Sequence, residues 1–200
     1  MKTIQEQEIW GVITEDFYNN LLVKAKKEFK NHQIKKRLAI SYWNPKMNRN
    51  LETRLRITNG QSEIVQKTGA WENQEVINLK EITIPIQNNI ETLINSYEVL
   101  DNMHPKAPRP IIQFENEIFI SDKVELKLAK QIGKATKYTF ELELLDPKLD
   151  LLKIAEIYNL RDKITKTDVN FWNKWNKEVT TMSDEISKEE LGKLIKKYLK

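Results

Sequence analysis

The 200 residues contain no cysteine, which excludes disulfide staples and thiolate metal sites and fits a reducing compartment. Glycine is scarce, and its five copies are scattered singly, so the chain has no glycine-rich loop to cradle a phosphate. The two histidines, His32 and His104, stand far apart without companions. An imidazole metal site or a histidine-assisted nucleophile has nothing to build on. No apolar run is long enough to span a bilayer, and the opening MKTIQEQEIW lacks the apolar core of a leader. The expectation is a soluble, cytoplasmic protein. No internal repeat or low-complexity tract interrupts it beyond a mild asparagine and lysine bias.

What is present is charge of both signs. Lysine and arginine number 33 against 29 acids, a net charge of +4. So small an excess is weak evidence for an anionic partner. The length suits one domain, or one domain with an appendage, with a sizeable core.

Two acidic patterns stand out: Glu6 and Glu8 in TIQEQEIWG, and Glu141 and Glu143 in KYTFELELLD. Side chains alternate faces along a strand, so each Glu-x-Glu sets two carboxylates on one surface about 7 Å apart. Around the second pair Tyr138, Phe140, Leu142 and Leu144 fill the alternate positions, giving an apolar face and an acidic one. Carboxylates facing inward must be matched by cations or water. Four that converge would suit Mg²⁺ or Mn²⁺, which prefer oxygen ligands.

Between these strands, Thr14 followed by Glu15 and Asp16 predicts a helix start, with Phe17, Leu21, Ala25 and Phe29 as its buried stripe. The basic run Lys24, Lys26, Lys27, Lys30, Lys35, Lys36 and Arg37 reads as a solvated face. RLAISYW reads as a strand ending at Asn44-Pro45, before the polar KMNRN. Asn59-Gly60 between alternating segments predicts a two-residue hairpin turn. That turn pairs Thr58 with Gln61; Arg56 then lies opposite Glu63, Arg54 opposite Val65 and Glu52 opposite Lys67, and these six share one face. Leu55, Ile57, Ser62 and Ile64 take the other. KEITIPI reads as a strand closed by Pro85, and Ile90, Leu93, Ile94 and Tyr97 as a helical stripe. MHPKAPRP reads as a connector, IIQFENEIFI as a second hairpin with its tip near Asn116, and KVELKLAKQIG as a strand turning at Gly133. The last quarter reads as helical, with a capping box at Ser187 and Glu190. Phe171, Trp172 and Trp175 in it read as packing residues rather than a base-stacking platform. The whole suggests an α+β chain built on an antiparallel barrel with a polar interior.

In this order the motifs resemble the triphosphate tunnel metalloenzymes, the CYTH family together with the viral and fungal-type mRNA triphosphatases. EQEIWG looks like the opening Glu-x-Glu strand, SYWNPKMNRNLETRLRI like the aromatic strand, loop and Leu-Arg-x-Arg pattern, IVQKTG like the strand with a phosphate-binding lysine, and FELEL like the closing strand. The resemblance implies an eight-stranded antiparallel tunnel over residues 1–147, with flanking helices and a helical C-terminal extension, residues 148–200, packed on it. It implies a Mg²⁺- or Mn²⁺-dependent hydrolase acting on the terminal phosphate of a triphosphate. The substrate could be an RNA 5′ end, a nucleotide, tripolyphosphate or thiamine triphosphate, with the spacing in EIWGVITEDF and TRLRITNG leaning to the RNA branch. Glu6, Glu8, Glu141 and Glu143 would be metal ligands and catalytic, and Arg54, Arg56, Lys67, Lys80 and Arg109 would hold the substrate. Lys106, Lys123 and Lys127 are further cationic candidates. The chain departs from the pattern at Trp10, where the family has a basic residue. The same resemblance admits a class-IV-type adenylyl cyclase, or a non-catalytic module that binds polyphosphate or RNA.

Overall fold

The computed structural model describes residues 2–43 and 50–200. Among these residues nine strands form one antiparallel sheet: β1 (Lys2–Ile13), β2 (Asn31–Trp43), β3 (Leu51–Thr58), β4 (Gln61–Ala70), β5 (Ile77–Pro85), β6 (Pro110–Ile120), β7 (Val124–Ile132), β8 (Lys137–Leu144) and the short β9 (Thr181–Met182). The order is β2-β3-β4-β5-β1-β8-β7-β6-β9, and β2 also pairs with β6. That last pairing closes eight strands into the expected antiparallel barrel, with β9 as a short addition to β6.

The barrel is held from outside. Helix α1 (Glu15–Glu28) starts at Thr14, whose hydroxyl accepts from the Phe17 N–H, and lays Leu21, Ala25 and Phe29 against Ile9, Phe119, Leu126, Leu128, Phe140 and Leu142. Helix α3 (Leu151–Ile157), capped by Asp150, adds Leu151 and Ala155 to the same cluster. On the opposite flank α2 (Ile90–Met103) and α5 (Lys188–Tyr198) cover Leu38, Ile40, Tyr42, Leu55 and Ile57. Apolar alternates of these strands therefore point out under helices, and the polar alternates are left to face one another within.

The β3–β4 hairpin has the expected register, from Thr58↔Gln61 to Glu52↔Lys67. Asn59 and Gly60 take φ of 46° and 78°, as a two-residue turn of this hand requires. The Ser187–Glu190 capping box is present at the start of α5. One element differs. IIQFENEIFI is a single strand, β6, and Asn116 is buried at mid-strand, donating to the Lys35 carbonyl. Its amide faces the barrel interior, so a polar residue that looks like a turn is a polar inward position. The strand end expected at Asn44-Pro45 and the KMNRN stretch lie outside the described residues.

A C-terminal segment crosses the end of the barrel where β1 finishes and β6 begins. Thr165 N–H donates to the Trp10 carbonyl, Val12 N–H to the Thr165 hydroxyl, and Asn73 N–H to the Thr167 carbonyl. Helix α4 (Val169–Glu178) follows, capped by Asp168, and Gln131 donates to the Thr180 hydroxyl just beyond it. Two glycines let the backbones approach closely: a β-carbon would stand 2.2 Å from the Lys163 carbonyl oxygen at Gly11 and 2.3 Å from the Val179 carbonyl oxygen at Gly133.

Candidate active site

The two Glu-x-Glu strands are neighbours. Glu8 pairs with Glu143 and Trp10 with Glu141, so the β1 and β8 carboxylates share one inward face across one seam. On the facing wall Arg54 and Arg56 project from β3 and Lys67 from β4. The interior is self-paired. The Lys67 ammonium lies 2.7 Å from Glu6, 3.4 Å from Glu81 and 3.8 Å from Glu8. Arg54 holds Glu52 through two bonds of 2.9 and 2.8 Å, and Arg56 bridges Glu63 at 2.6 Å and Glu81 at 3.1 Å. Lys127 pairs with Glu141. These groups line, or lie beside, a cavity of about 110 Å³.

Acid outnumbers base here: Glu6, Glu8, Glu52, Glu63, Glu81, Glu141 and Glu143 face Arg37, Arg54, Arg56, Lys67 and Lys127. The excess shows in the titrations. Burial pushes the Glu143 carboxyl up to about 8, reinforced by Glu6 and Glu141. Burial likewise raises Glu8, and Lys67 only partly offsets it. Burial would raise Glu81 and Glu141 too, yet Lys67 and Arg56 hold the first, and Lys127 and Lys67 the second, down to about 2. Two carboxyls thus stay ionised by local pairing and two are left short of positive charge.

The donor set fits a hard divalent cation: four carboxylates share a seam, the buried Oε2 of Glu8 accepts no hydrogen bond, and the Lys67 ammonium stands among the acids as a cation would. Among the described residues no three acids are drawn close enough to hold an ion as they stand. Lys67 and Lys127 engage these acids in ion pairs, so binding requires those pairs to open.

Two expected residues are placed elsewhere. Lys80 is exposed on the outer face of β5, and its neighbour Glu81 is the inward residue. Outward-facing Ile82 and Ile84, the latter 48% exposed, lie on a strand that takes no part in the helix-covered clusters, so apolarity misreports the inner face there. Arg109 precedes β6 and pairs with Asp101 on α2, outside the cavity lining. Lys106 and Lys123 are exposed, and of the further candidates Lys127 alone is inward.

Arg37 corrects the reading of the basic run. It lines the cavity, and its Nε donates 3.1 Å to the Thr58 hydroxyl, with no carboxylate of the described residues in ion-pair reach. Burial, then Arg56, depresses its pKa. The signal was legible: Arg37, Ala39, Ser41 and Trp43 alternate with Leu38, Ile40 and Tyr42, so the residue belongs to the strand, not the helix-associated run. Trp10 stands inward next after Glu8 and packs against Phe171, Trp172 and Trp175 of α4.

No family model matches the chain, and no curated protein does. Solved structures match its fold. The PH1012 protein of Pyrococcus horikoshii aligns with a TM-score of 0.62 at 15% identity, over 83% of this chain and 98% of that one. A Hippeastrum protein, HpAC1, studied as an adenylyl cyclase and described as revealing a dominant triphosphatase activity, gives 0.54 at 13% identity over 84% and 96%. The mimivirus capping enzyme triphosphatase gives 0.53 at 14% identity over 80% and 90%. At such identities the likeness is one of fold.

Proposed function

We propose, from the premise that this chain has the triphosphate-tunnel fold, that it is a metal-dependent hydrolase of the terminal phosphate of a triphosphate. One observation carries the reading: inside a closed barrel, an acid-rich seam of Glu6, Glu8, Glu141 and Glu143 faces Arg37, Arg54, Arg56 and Lys67. Acid in excess of base would repel a polyphosphate by itself, so productive binding calls for added positive charge.

Glu6, Glu8, Glu141 and Glu143 would hold Mg²⁺ or Mn²⁺. A divalent cation there supplies neutralisation of phosphate charge and lowers the pKa of a water nucleophile. With those carboxylates engaged, Lys67 and Lys127 would be free to turn to phosphate oxygens. Arg37, already without a carboxylate, needs no release and is the first anchor for the anion. Arg54 keeps its bidentate bond to Glu52, which holds the guanidinium in one orientation at the cavity wall. Glu143, whose pKa burial and its acidic neighbours raise to about 8, would have to give up its proton to serve as a ligand.

The test is phosphate release from tripolyphosphate, ATP and 5′-triphosphorylated RNA, each with Mg²⁺ and with Mn²⁺. The expected result is metal-dependent release that Glu141→Ala and Glu143→Ala each abolish with the circular dichroism spectrum unchanged. Tight binding that survives EDTA, with turnover of none of the three, would replace the hydrolase by a binding module.

A further inference from the structure

The chain has five tryptophans, and every one of them, Trp10, Trp43, Trp71, Trp172 and Trp175, lines the same cavity. They come from β1, β2, the turn after β4 and α4, and of the five only Trp172 and Trp175 are near one another in sequence. Trp10 lies 5.6 Å from Trp172 with rings inclined at 37°, and 6.1 Å from Trp175 nearly edge-on. Trp10 and Trp172 keep part of their surface accessible. Trp71 joins this wall to the charged part of the cavity: the Arg54 guanidinium is 5.7 Å and the Lys67 ammonium 6.0 Å from its ring. Ile112 and Phe114 of β6 extend the apolar lining.

We propose that this wall is a subsite for a planar aromatic group, so that the substrate is an organic triphosphate carrying an aromatic or heteroaromatic ring, in preference to inorganic tripolyphosphate. The ring lies against Trp10 and Trp172 while the phosphates lie among Arg37, Arg54 and Lys67. This rests on the triphosphate reading above and narrows it. An inorganic chain has nothing to place against indoles, whereas a ring gains stacking and removes apolar surface from water. The side of the wall formed by Trp172 and Trp175 comes from the C-terminal segment, which gives that segment a part in specificity.

The test is titration of the full chain, with Mg²⁺ present, by tripolyphosphate and by ATP, CTP and thiamine triphosphate, read by tryptophan fluorescence and calorimetry. At least one aromatic triphosphate is expected to bind about tenfold or more tighter than tripolyphosphate. Trp172→Ala should bring that ratio near one, and Trp172→Phe should keep most of it. Should Trp172→Ala fail to fold, Trp172→Leu, apolar and bulky, reads the same ratio. Tripolyphosphate binding as tightly as every aromatic compound, or a loss in Trp172→Ala shared equally by both kinds, overturns the subsite and leaves the triphosphate reading standing. Binding of neither kind overturns both.

Discussion

Glu143 lies opposite Glu8 across the β1–β8 seam, and its acidic neighbours Glu6, Glu141 and Glu125 outweigh the nearby cation Lys127. Its folded-state pKa of about 8 stands above the 4.5 of an ordinary glutamate, so the folded chain holds a proton that the unfolded chain releases. The stability tied to that proton is fully present below about pH 4.5 and is lost as pH rises through about 8. Glu8 is raised as well and acts in the same sense. Glu81 and Glu141, held near 2, contribute the opposite way: their stabilisation is present above 4.5 and lost on acidification below it. Of these four carboxyls, only the first pair releases protons between pH 5.5 and 8.5. Without divalent metal, the melting temperature should therefore fall across that window by roughly a few degrees. Glu143→Gln should flatten the slope, and saturating Mg²⁺ should remove or reverse it. A metal-free melting temperature that rises over the window would mean that the four acids do not crowd one another.

At the scale of elements, the segment from Thr165 to Thr180 is tied across one barrel end by backbone bonds to β1 and the loop after β4, and by close approach at Gly133. A methyl group at Gly133 meets main chain, the Val179 carbonyl, at 2.3 Å, and cannot be relieved by turning a side chain. Gly133→Ala should cost about 2 kcal/mol in chemical denaturation. It should also shift tryptophan emission to the red, because displacing the segment uncovers Trp10 and Trp172. An unchanged spectrum with unchanged stability would mean that α4 is not held there. The aromatic residues of α4 read from sequence as packing, and they do pack, on Trp10. What that reading left out is that the surface they pack on belongs to the cavity. Helical spacing reports which residues share a face, and carries no information about what the face meets.

For the whole molecule, the barrel's outer walls are its hydrophobic core, and the helices that cover them come from the middle and from both ends of the chain. Leu151, Ala155 and Leu160 are at most 3% exposed among residues of α1, β1, β7 and β8, and Leu191 and Ile195 at most 2% among residues of β2 and β3. Removing residues 148–200 should therefore leave a chain that does not melt cooperatively and that binds a hydrophobic dye. A soluble, cooperatively melting 1–147 fragment would make the C-terminal part a dispensable extension. Alternation and turn chemistry were enough, in sequence alone, to set the inward and outward faces of β1, β3, β4 and β8, the hairpin register at Asn59-Gly60, and the acid-and-base character of the interior. These are local rules, complete within a few residues. Three things were decided only in three dimensions: that Lys80 faces water and Glu81 the cavity, that Arg37 has no carboxylate of the described residues in ion-pair reach, and that the tryptophans of β1, β2, the turn after β4 and α4 meet. Each depends on which strand neighbours which, and on where helices happen to cover the sheet. Barrel closure through β2 and β6 and the docking of the C-terminal helices settle both, by burying apolar surface far apart in sequence.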